Sequence, residues 1–329
     1  MTGLRHHLLS LTAAGLGVAL GLGLGAGPVT DETVASHEST TARLTDRGDR
    51  LQERVDGLTA ARSADGELLS AMSAELGTGR LDGRSVLVVA TPGARSAVVR
   101  RVRADLEASG GTVTGVLTLG ENYVDPAQAQ APLEDLALRL VPPGVEFSPG
   151  ASAIERVGVV LARATVRAPA EERTAGVAVV DTVTVDRRAD QDAAEVIAGL
   201  DELDAVRLDG KPGRLADRAV LVTGSGRADG KQSEPALAGL VAALDAGSLG
   251  AVLSGPGDAE TGPLRWARDA TSGQLESGVS TVDSLDDPAG GALLVLALSE
   301  QAEGRSGDYG LGRGARAVLP AVPSGPAGG

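Results

Sequence analysis

Arg84-Ser85-Val86-Leu87-Val88-Val89-Ala90, closed by Thr91-Pro92-Gly93, is the stretch on which the fold turns. It is a short, continuous apolar run bounded by turn residues, with no alternation of polar and apolar positions. Such a run reads as a strand buried on both faces, which is the signature of a parallel sheet. A helical stretch follows from Ala94 to Ala108, then Gly110-Gly111 and a second apolar run from Thr112 to Leu119. The same order returns later. Leu215-Ala216-Asp217-Arg218-Ala219-Val220-Leu221-Val222-Thr223-Gly224 can be laid on Leu81-Asp82-Gly83-Arg84-Ser85-Val86-Leu87-Val88-Val89-Ala90, with leucine, arginine and the Val-Leu-Val triplet coinciding. A helix from Pro235 to Asp245, a strand at Gly250–Ser254, a third strand at Val279–Val282 and a helix at Gly291–Glu300 complete this half.

Between the two halves, helices are predicted from Pro126 to about Leu140, through Ile154–Arg163 and from Asp190 to Leu203. Pro142-Pro143-Gly144 breaks the chain, and the rest of 145–188 carries no clear period. Strands alternating with helices at this spacing predict an α/β fold with a parallel-sheet layer domain over 81–303. The internal match fits either a two-fold duplication or two independent βα units. The second is favoured, because short Val-rich strands resemble each other cheaply. The Gly- and Pro-rich tail, 304–329, reads as irregular.

Upstream of the sheet the texture differs. Leu8 to Val29 is 22 residues without a charge, and about 20 apolar residues suffice for a helix to span a bilayer. Arg5 precedes the run and Asp31 and Glu32 follow it, which points to a cytoplasmic N-terminus and an exported remainder. Residues 1–30 therefore read as an uncleaved signal anchor, a single membrane-spanning helix. A cleaved signal peptide is the competing reading: Gly25-Ala26-Gly27 has the right small residues, but Pro28 directly after them hinders cleavage. Residues 31–77 are polar with sparse apolar positions at heptad spacing. Leu44, Leu51, Leu58 and Met72 share one seam position, and Val34, Val55, Leu69 and Leu76 the other. His37, Thr41, Gly48, Arg62 and Asp65 interrupt the pattern, so that eight of thirteen seam positions are apolar. This predicts a helical coiled-coil stalk and a homo-oligomer, with a plain amphipathic helix packed on the body as the alternative.

Composition removes several function classes. The 329 residues carry 44 acidic and 30 basic side chains, a net charge of −14, where nucleic-acid binding needs a basic surface to displace counterions. Tyr123, Phe147, Trp266 and Tyr309 are the only aromatic residues, too few for a base-stacking platform or for the aromatic girdles of a membrane β-barrel. No cysteine means no disulfide framework, thiolate metal site or thiol nucleophile.

Candidate chemistry is sparse. Gly224-Ser225-Gly226-Arg227-Ala228-Asp229-Gly230-Lys231 follows a predicted strand, where a phosphate loop would sit. The spacing fails, however. Five residues separate Gly224 from Gly230, three separate Gly226 from Gly230, and Gln232 follows the lysine, whereas a phosphate loop needs four and then Ser or Thr. An ordinary βα turn explains it. His6, His7 and His37 are the only histidines and lie before the α/β body, so no histidine-assisted nucleophile can form there. The acids Asp181, Asp186, Asp190 and Asp192, and Asp201, Glu202 and Asp204, cluster in sequence. They could hold a hard cation or work as an acid–base pair, though a solvated face is the ordinary explanation. Asp286 and Asp287 read as acids at a helix start. No catalytic, cofactor-binding or metal-binding residue is assigned, and the chain is not read as an enzyme.

Three segments taken together carry a resemblance. They are Arg5-His6-His7-Leu8-Leu9-Ser10-Leu11 with Leu24-Gly25-Ala26-Gly27-Pro28; Gly83-Arg84-Ser85-Val86-Leu87-Val88-Val89 with Thr91-Pro92-Gly93-Ala94; and Val279-Ser280-Thr281-Val282-Asp283 with Gly304-Arg305-Ser306-Gly307-Asp308-Tyr309-Gly310. In this order the chain resembles the actinobacterial copper transporter family typified by mycobacterial copper transport protein B, over nearly its whole length. The resemblance implies copper efflux across the envelope, with copper as a transported ion rather than a cofactor, and brings no catalytic residues. Cu(I) favours Cys and Met sulfur, and the chain offers Met1 and Met72 as its only sulfur donors, with His37 a lone histidine in the heptad seam that could give one Cu(II) nitrogen. One helix encloses no channel, so a copper conduit here would have to be an oligomer without a soft-ligand relay. An envelope scaffold that binds a partner protein is the second reading, and an exported carboxylate enzyme the third.

Overall fold

The computed structural model describes residues 31–125, 129–141, 145, 147, 150–167, 187–225, 234–257, 262–269 and 278–320. The Leu8–Val29 run lies outside them. Among the described residues no helix is long and apolar enough to cross a membrane. The chain divides into two compact units, Met1–Ala64 and Asp65–Gly329.

Helix α1, Asp31–Gly77, runs 47 residues, roughly 70 Å at 1.5 Å per residue. Every residue from 43 to 61 is exposed. Local side-chain bonds at i,i+4 support it: Arg50 reaches Asp46 at 2.6 Å and Gln52 reaches Asp56 at 2.9 Å. Each such pair adds only a few tenths of a kcal/mol.

The second unit is built on a seven-stranded sheet. Its strands are β1 (Ser85–Ala90), β2 (Thr112–Leu119), β3 (Val206–Gly210), β4 (Arg218–Val222), β5 (Ala251–Ser254), β6 (Ser280–Val282) and β7 (Asp308–Tyr309), in the order β3-β2-β1-β4-β5-β6-β7. Every neighbouring pair is parallel except β2–β3. As its composition requires, β1 is central: Val86, Val88 and Val89 are wholly buried, and the strand pairs with β2 on one side and β4 on the other.

Successive side chains of a strand point to opposite faces, and the strands use this to build two cores. Val86, Val88, Val220, Val222, Val252 and Val282 face α2 (Ser96–Ala108) and α9 (Gly290–Ala302). Helix α9 is apolar almost all round and correspondingly buried. Leu87, Val89, Ala219, Leu221, Ala251 and Leu253 face the other way, into a core closed by α4 (Gln130–Arg139), α5 (Ala153–Thr165), α6 (Arg187–Glu202) and α7 (Glu234–Gly247). A short α3 (Glu121–Val124) and α8 (Pro263–Arg268) complete the unit. Helix α5 starts at a capping box: Ser152 N–H donates to Glu155 at 2.6 Å, and the Ser152 hydroxyl accepts from Glu155 N–H. The two matching sequences, β1 and β4, lie side by side at the middle of the sheet, and their following helices α2 and α7 cover opposite faces.

Two features differ from the sequence reading. The sheet is not wholly parallel, for β3 runs antiparallel to β2, with Leu119 opposite Val206 and Gly115 opposite Gly210. Val-Arg-Leu-Asp-Gly is too short and charged to stand out, and it forms because the chain returns along the sheet edge, where exposed Arg207 and Asp209 face water. The region after Gly304 is not irregular throughout. Asp308-Tyr309 adds β7 at the opposite edge, held by Thr281 N–H to Gly307 O at 2.9 Å and Asp283 N–H to Tyr309 O at 3.1 Å.

Candidate functional site

Open α/β sheets bind ligands at the carboxyl ends of their strands, where neighbouring strands send their chains to opposite faces. Here that place lies between β1 and β4, at Thr91-Pro92-Gly93 and Thr223-Gly224-Ser225. Backbone fills it. A Cβ on Gly224 would stand 2.2 Å from Gly93 O and 2.4 Å from Gly93 C, so the two loops touch main chain to main chain. Thr91 N–H donates to Val222 O at 3.0 Å, and Thr223 donates through both its amide and its hydroxyl to Ser254 O at 2.8 and 3.1 Å. The buried Thr91 hydroxyl has no hydrogen-bond partner. Of the 224–231 loop only Gly224 and Ser225 are among the described residues. Helix α7, which follows, opens with Glu234 in its first turn, a charge that disfavours a phosphate there.

The densest polar constellation lies two strands further on, past the end of β6. Asp283, 1% exposed, accepts from Arg268 Nη1 at 2.6 Å, from the Ser284 hydroxyl at 2.5 Å, and from the backbone N–H groups of Leu311 and Gly312, each at 2.8 Å. Arg268 also donates through Nε to the Thr281 hydroxyl at 2.7 Å and through Nη2 to Tyr309 O at 2.6 Å. Burial by itself pushes the Asp283 carboxyl up, but Arg268, Ser284 and the two amides outweigh it and hold the group below the ordinary carboxylate range. Ser284 sits at φ +65°, a conformation that costs a non-glycine residue free energy, and its hydroxyl bond to Asp283 offsets that cost. Gly310 and Gly312 let the chain wrap this carboxylate: a Cβ on Gly310 would lie 2.0 Å from Asp283 Oδ1. Nearby, the Tyr309 hydroxyl donates to the buried Glu300 carboxylate. Burial and Glu300 both push that hydroxyl up. Both carboxylate oxygens of Asp283 are satisfied from within the chain, so the constellation locks Gly307–Gly312 onto the sheet.

The residues singled out from sequence do not converge. Asp181 and Asp186 lie outside the described residues, as does the side chain of Asp190; Asp192, Asp201, Glu202 and Asp204 are exposed. Asp201 faces Arg207 at 3.8 Å. Asp286 serves a loop, accepting from Gly257 N–H at 3.3 Å and standing 3.7 Å from Arg95, while α9 starts only at Gly290. Met72 is exposed on α1, and His37 is in the same helix with its side chain outside the description. Among the described residues no three His, Cys, Asp or Glu side chains come together to hold a metal ion. Nothing local in the sequence marks the Arg268–Asp283 pair, whose members are 15 residues apart. One signal did exist. Val279–Asp283 and Gly304–Gly310, quoted above as parts of one resemblance, are the two segments that pair as β6 and β7.

The comparisons with known proteins agree with that resemblance. The family described as "Copper transport outer membrane protein, MctB" matches residues 1–320. The protein "Copper transporter MctB" of Mycobacterium tuberculosis (strain ATCC 25618 / H37Rv) is 27% identical over 328 residues, covering 97% of this chain and 99% of its own. The protein of the same name from Mycobacterium leprae (strain TN) is 27% identical over 334 residues, with the same coverage. A match that begins at residue 1 and runs through β7 takes in both units, so this chain belongs to the MctB family of copper transport outer membrane proteins.

Proposed function

We propose that this protein serves copper efflux or tolerance from the cell envelope, held there by the Leu8–Val29 segment with most of the chain extracytoplasmic, and that it works as a homo-oligomer. Family membership over residues 1–320, the apolar segment included, carries this reading. A single apolar segment per copy cannot enclose a passage, so a conduit needs several copies; as an accessory, the protein would use the same anchor and body without lining the path. Growth of a deletion strain across a copper series tests it. Tolerance should fall without the gene and return on complementation with the full chain. Unchanged growth across the series would sink the copper reading.

The donor inventory adds a condition. Past residue 80 the chain contains no His, Cys or Met, and carboxylate and backbone oxygens hold copper weakly. A conduit tolerates this, since passage requires binding weak enough to release the ion; a storage protein or chaperone does not. The purified domain from about residue 81 should therefore show no saturable Cu(I) site of sub-micromolar affinity when titrated against a moderate chelator. A stoichiometric tight site would overturn this account of how the protein handles the metal.

One observation favours a second reading, an envelope scaffold that binds a partner protein without handling copper. The place where open α/β sheets take small ligands is closed by the Gly93–Gly224 approach, which leaves the outer surface as the working part. A partner that co-purifies with the full chain, with no copper phenotype on deletion, would favour the scaffold.

A further inference from the structure

The exposed seam of α1 has an occupant that its own residues specify. Leu44, Leu51 and Leu58 fall seven residues apart at 65, 54 and 65% exposure, and Val55, 54% exposed, lies between the last two on the same stripe. With leucines at the d positions, Val55 is an a position, and Met72 continues the d series two heptads beyond Leu58. The charged contacts run elsewhere on the helix: Asp46 and Arg50, which pair at 2.6 Å, occupy f and c, the outward positions. An isolated helix with glycines at 48 and 57 gains little from such local pairs. We propose that α1 pairs with α1 of a second copy as a parallel two-stranded coiled coil through Leu44, Leu51, Val55 and Leu58.

The choice of a second copy and of the parallel direction follows from position. Leucine at d with a β-branched residue at a favours two strands in parallel. In that arrangement each apolar seam residue meets its own copy, so Leu51, Val55 and Leu58 stack as three successive apolar layers. The parallel pair stacks Gly48 on Gly48, and its like-charge layers, Arg62 and Asp65, fall outside the Leu51–Leu58 run. An antiparallel pair matches a with d positions and breaks that run by setting Leu44, Leu51 or Leu58 against Gly48 or Arg62 in several layers. The flanks agree. The g positions are Arg47 and Arg54 and the e positions Thr45, Gln52 and Thr59. A parallel pair sets each arginine beside Gln52 or Thr59 of the other chain, whereas an antiparallel pair lines the arginines of both chains along one flank, like charge against like. This gives the homo-oligomer proposed above its contact surface as a dimer, which suits the accessory form of that reading, since two apolar segments do not enclose a passage; it rests on α1 rather than on copper.

The cysteine-free chain supplies the test. In the full-length protein, Leu44→Cys and Leu58→Cys are made singly, with Glu53→Cys at the outward f position as control, and each is oxidised with diamide in detergent and in native membranes. Both seam variants should give at least five times the disulfide-linked dimer that Glu53→Cys gives. The two seam sites are roughly 21 Å apart along the helix, so an antiparallel pair can link one of them at most. Yields equal to the control, or cross-linking at only one seam site, would overturn the parallel pairing. Light scattering on the unmodified full chain provides the second measure. The protein mass should be twice that of the doubly substituted Leu51→Glu, Leu58→Glu chain, with the melting of the sheet unit unchanged between them. A monomeric unmodified chain would also overturn it. Either failure leaves the copper growth experiment standing on its own.

Discussion

Asp283→Asn should unfold the sheet unit at markedly lower denaturant, with a loss of about 3–5 kcal/mol, the usual cost of breaking a buried ion pair by removing one partner. The side chain keeps its shape, but its amide nitrogen must now face a guanidinium or backbone N–H donor. Arg268, with both members of the pair 1% exposed at the side chain, then keeps a charge without its counter-ion. Trp266, the single tryptophan, stands two residues before Arg268, so its fluorescence follows the transition directly. Replacing both partners with apolar residues, Arg268→Met and Asp283→Leu together, should recover only part of the loss. The Leu311 and Gly312 amides and the Ser284 hydroxyl would still lack their acceptor. The pH dependence has a definite sign. The folded-state carboxyl is held below its ordinary value, so its contribution is complete above the unfolded value of about 3.9 and disappears as pH falls through the lower, folded value. The difference between wild type and Asp283→Asn should therefore be flat from neutral pH to about pH 5 and narrow below about pH 4. A difference that narrowed on going from pH 5 to pH 8 would contradict the assignment.

Gly224→Ala is the second large effect. One methyl group is added, but it must enter where Gly93 O lies 2.2 Å and Gly93 C 2.4 Å away. Both neighbours are main chain, so no rotamer change relieves the overlap and the β1 and β4 loops must move apart. Overpacking of this kind costs about 1–3 kcal/mol, and Gly224→Val should cost more. Gly57→Ala serves as the contrast. Nothing lies within 4 Å of that Cβ, and alanine favours a helix over glycine by about 1 kcal/mol, so α1 should gain helicity. Thermal denaturation followed by circular dichroism reads both. If Gly224→Ala melts with the wild type, the loops are not in contact and the crevice between β1 and β4 is open to a ligand after all.

Much of the fold could be read from local pattern, and what could not be read depends on distant partners. The Val86–Ala90 run announced a doubly buried strand because in the centre of a parallel sheet both faces demand apolar side chains, and β1 is that strand. Most helices were found within a few residues because an apolar face leaves a period of its own. β3 and β7 left no such mark. Each is an edge strand of two to five residues whose pairing is decided by where the chain returns. The acidic run near residue 190 is dense, yet Asp192, its described side chain, is exposed, while the acid that matters most to packing, Asp283, is a single residue at the end of a short strand, three positions before the Asp286-Asp287 pair that the helix-start pattern picks out. A buried ion pair is a property of two segments that meet, and neither segment alone carries it.

The lock around Asp283 also orders events in time. A chain made or exported from its N-terminus presents Arg268 and Asp283 well before Tyr309, Leu311 and Gly312 arrive with the carbonyl and amides that complete their bonding. Until then, closing β6 onto the sheet would bury a guanidinium and a carboxylate with unmet hydrogen-bonding capacity, which is costly enough to hold that edge open. The central strands can assemble earlier, but the final closure waits for residue 312 to emerge.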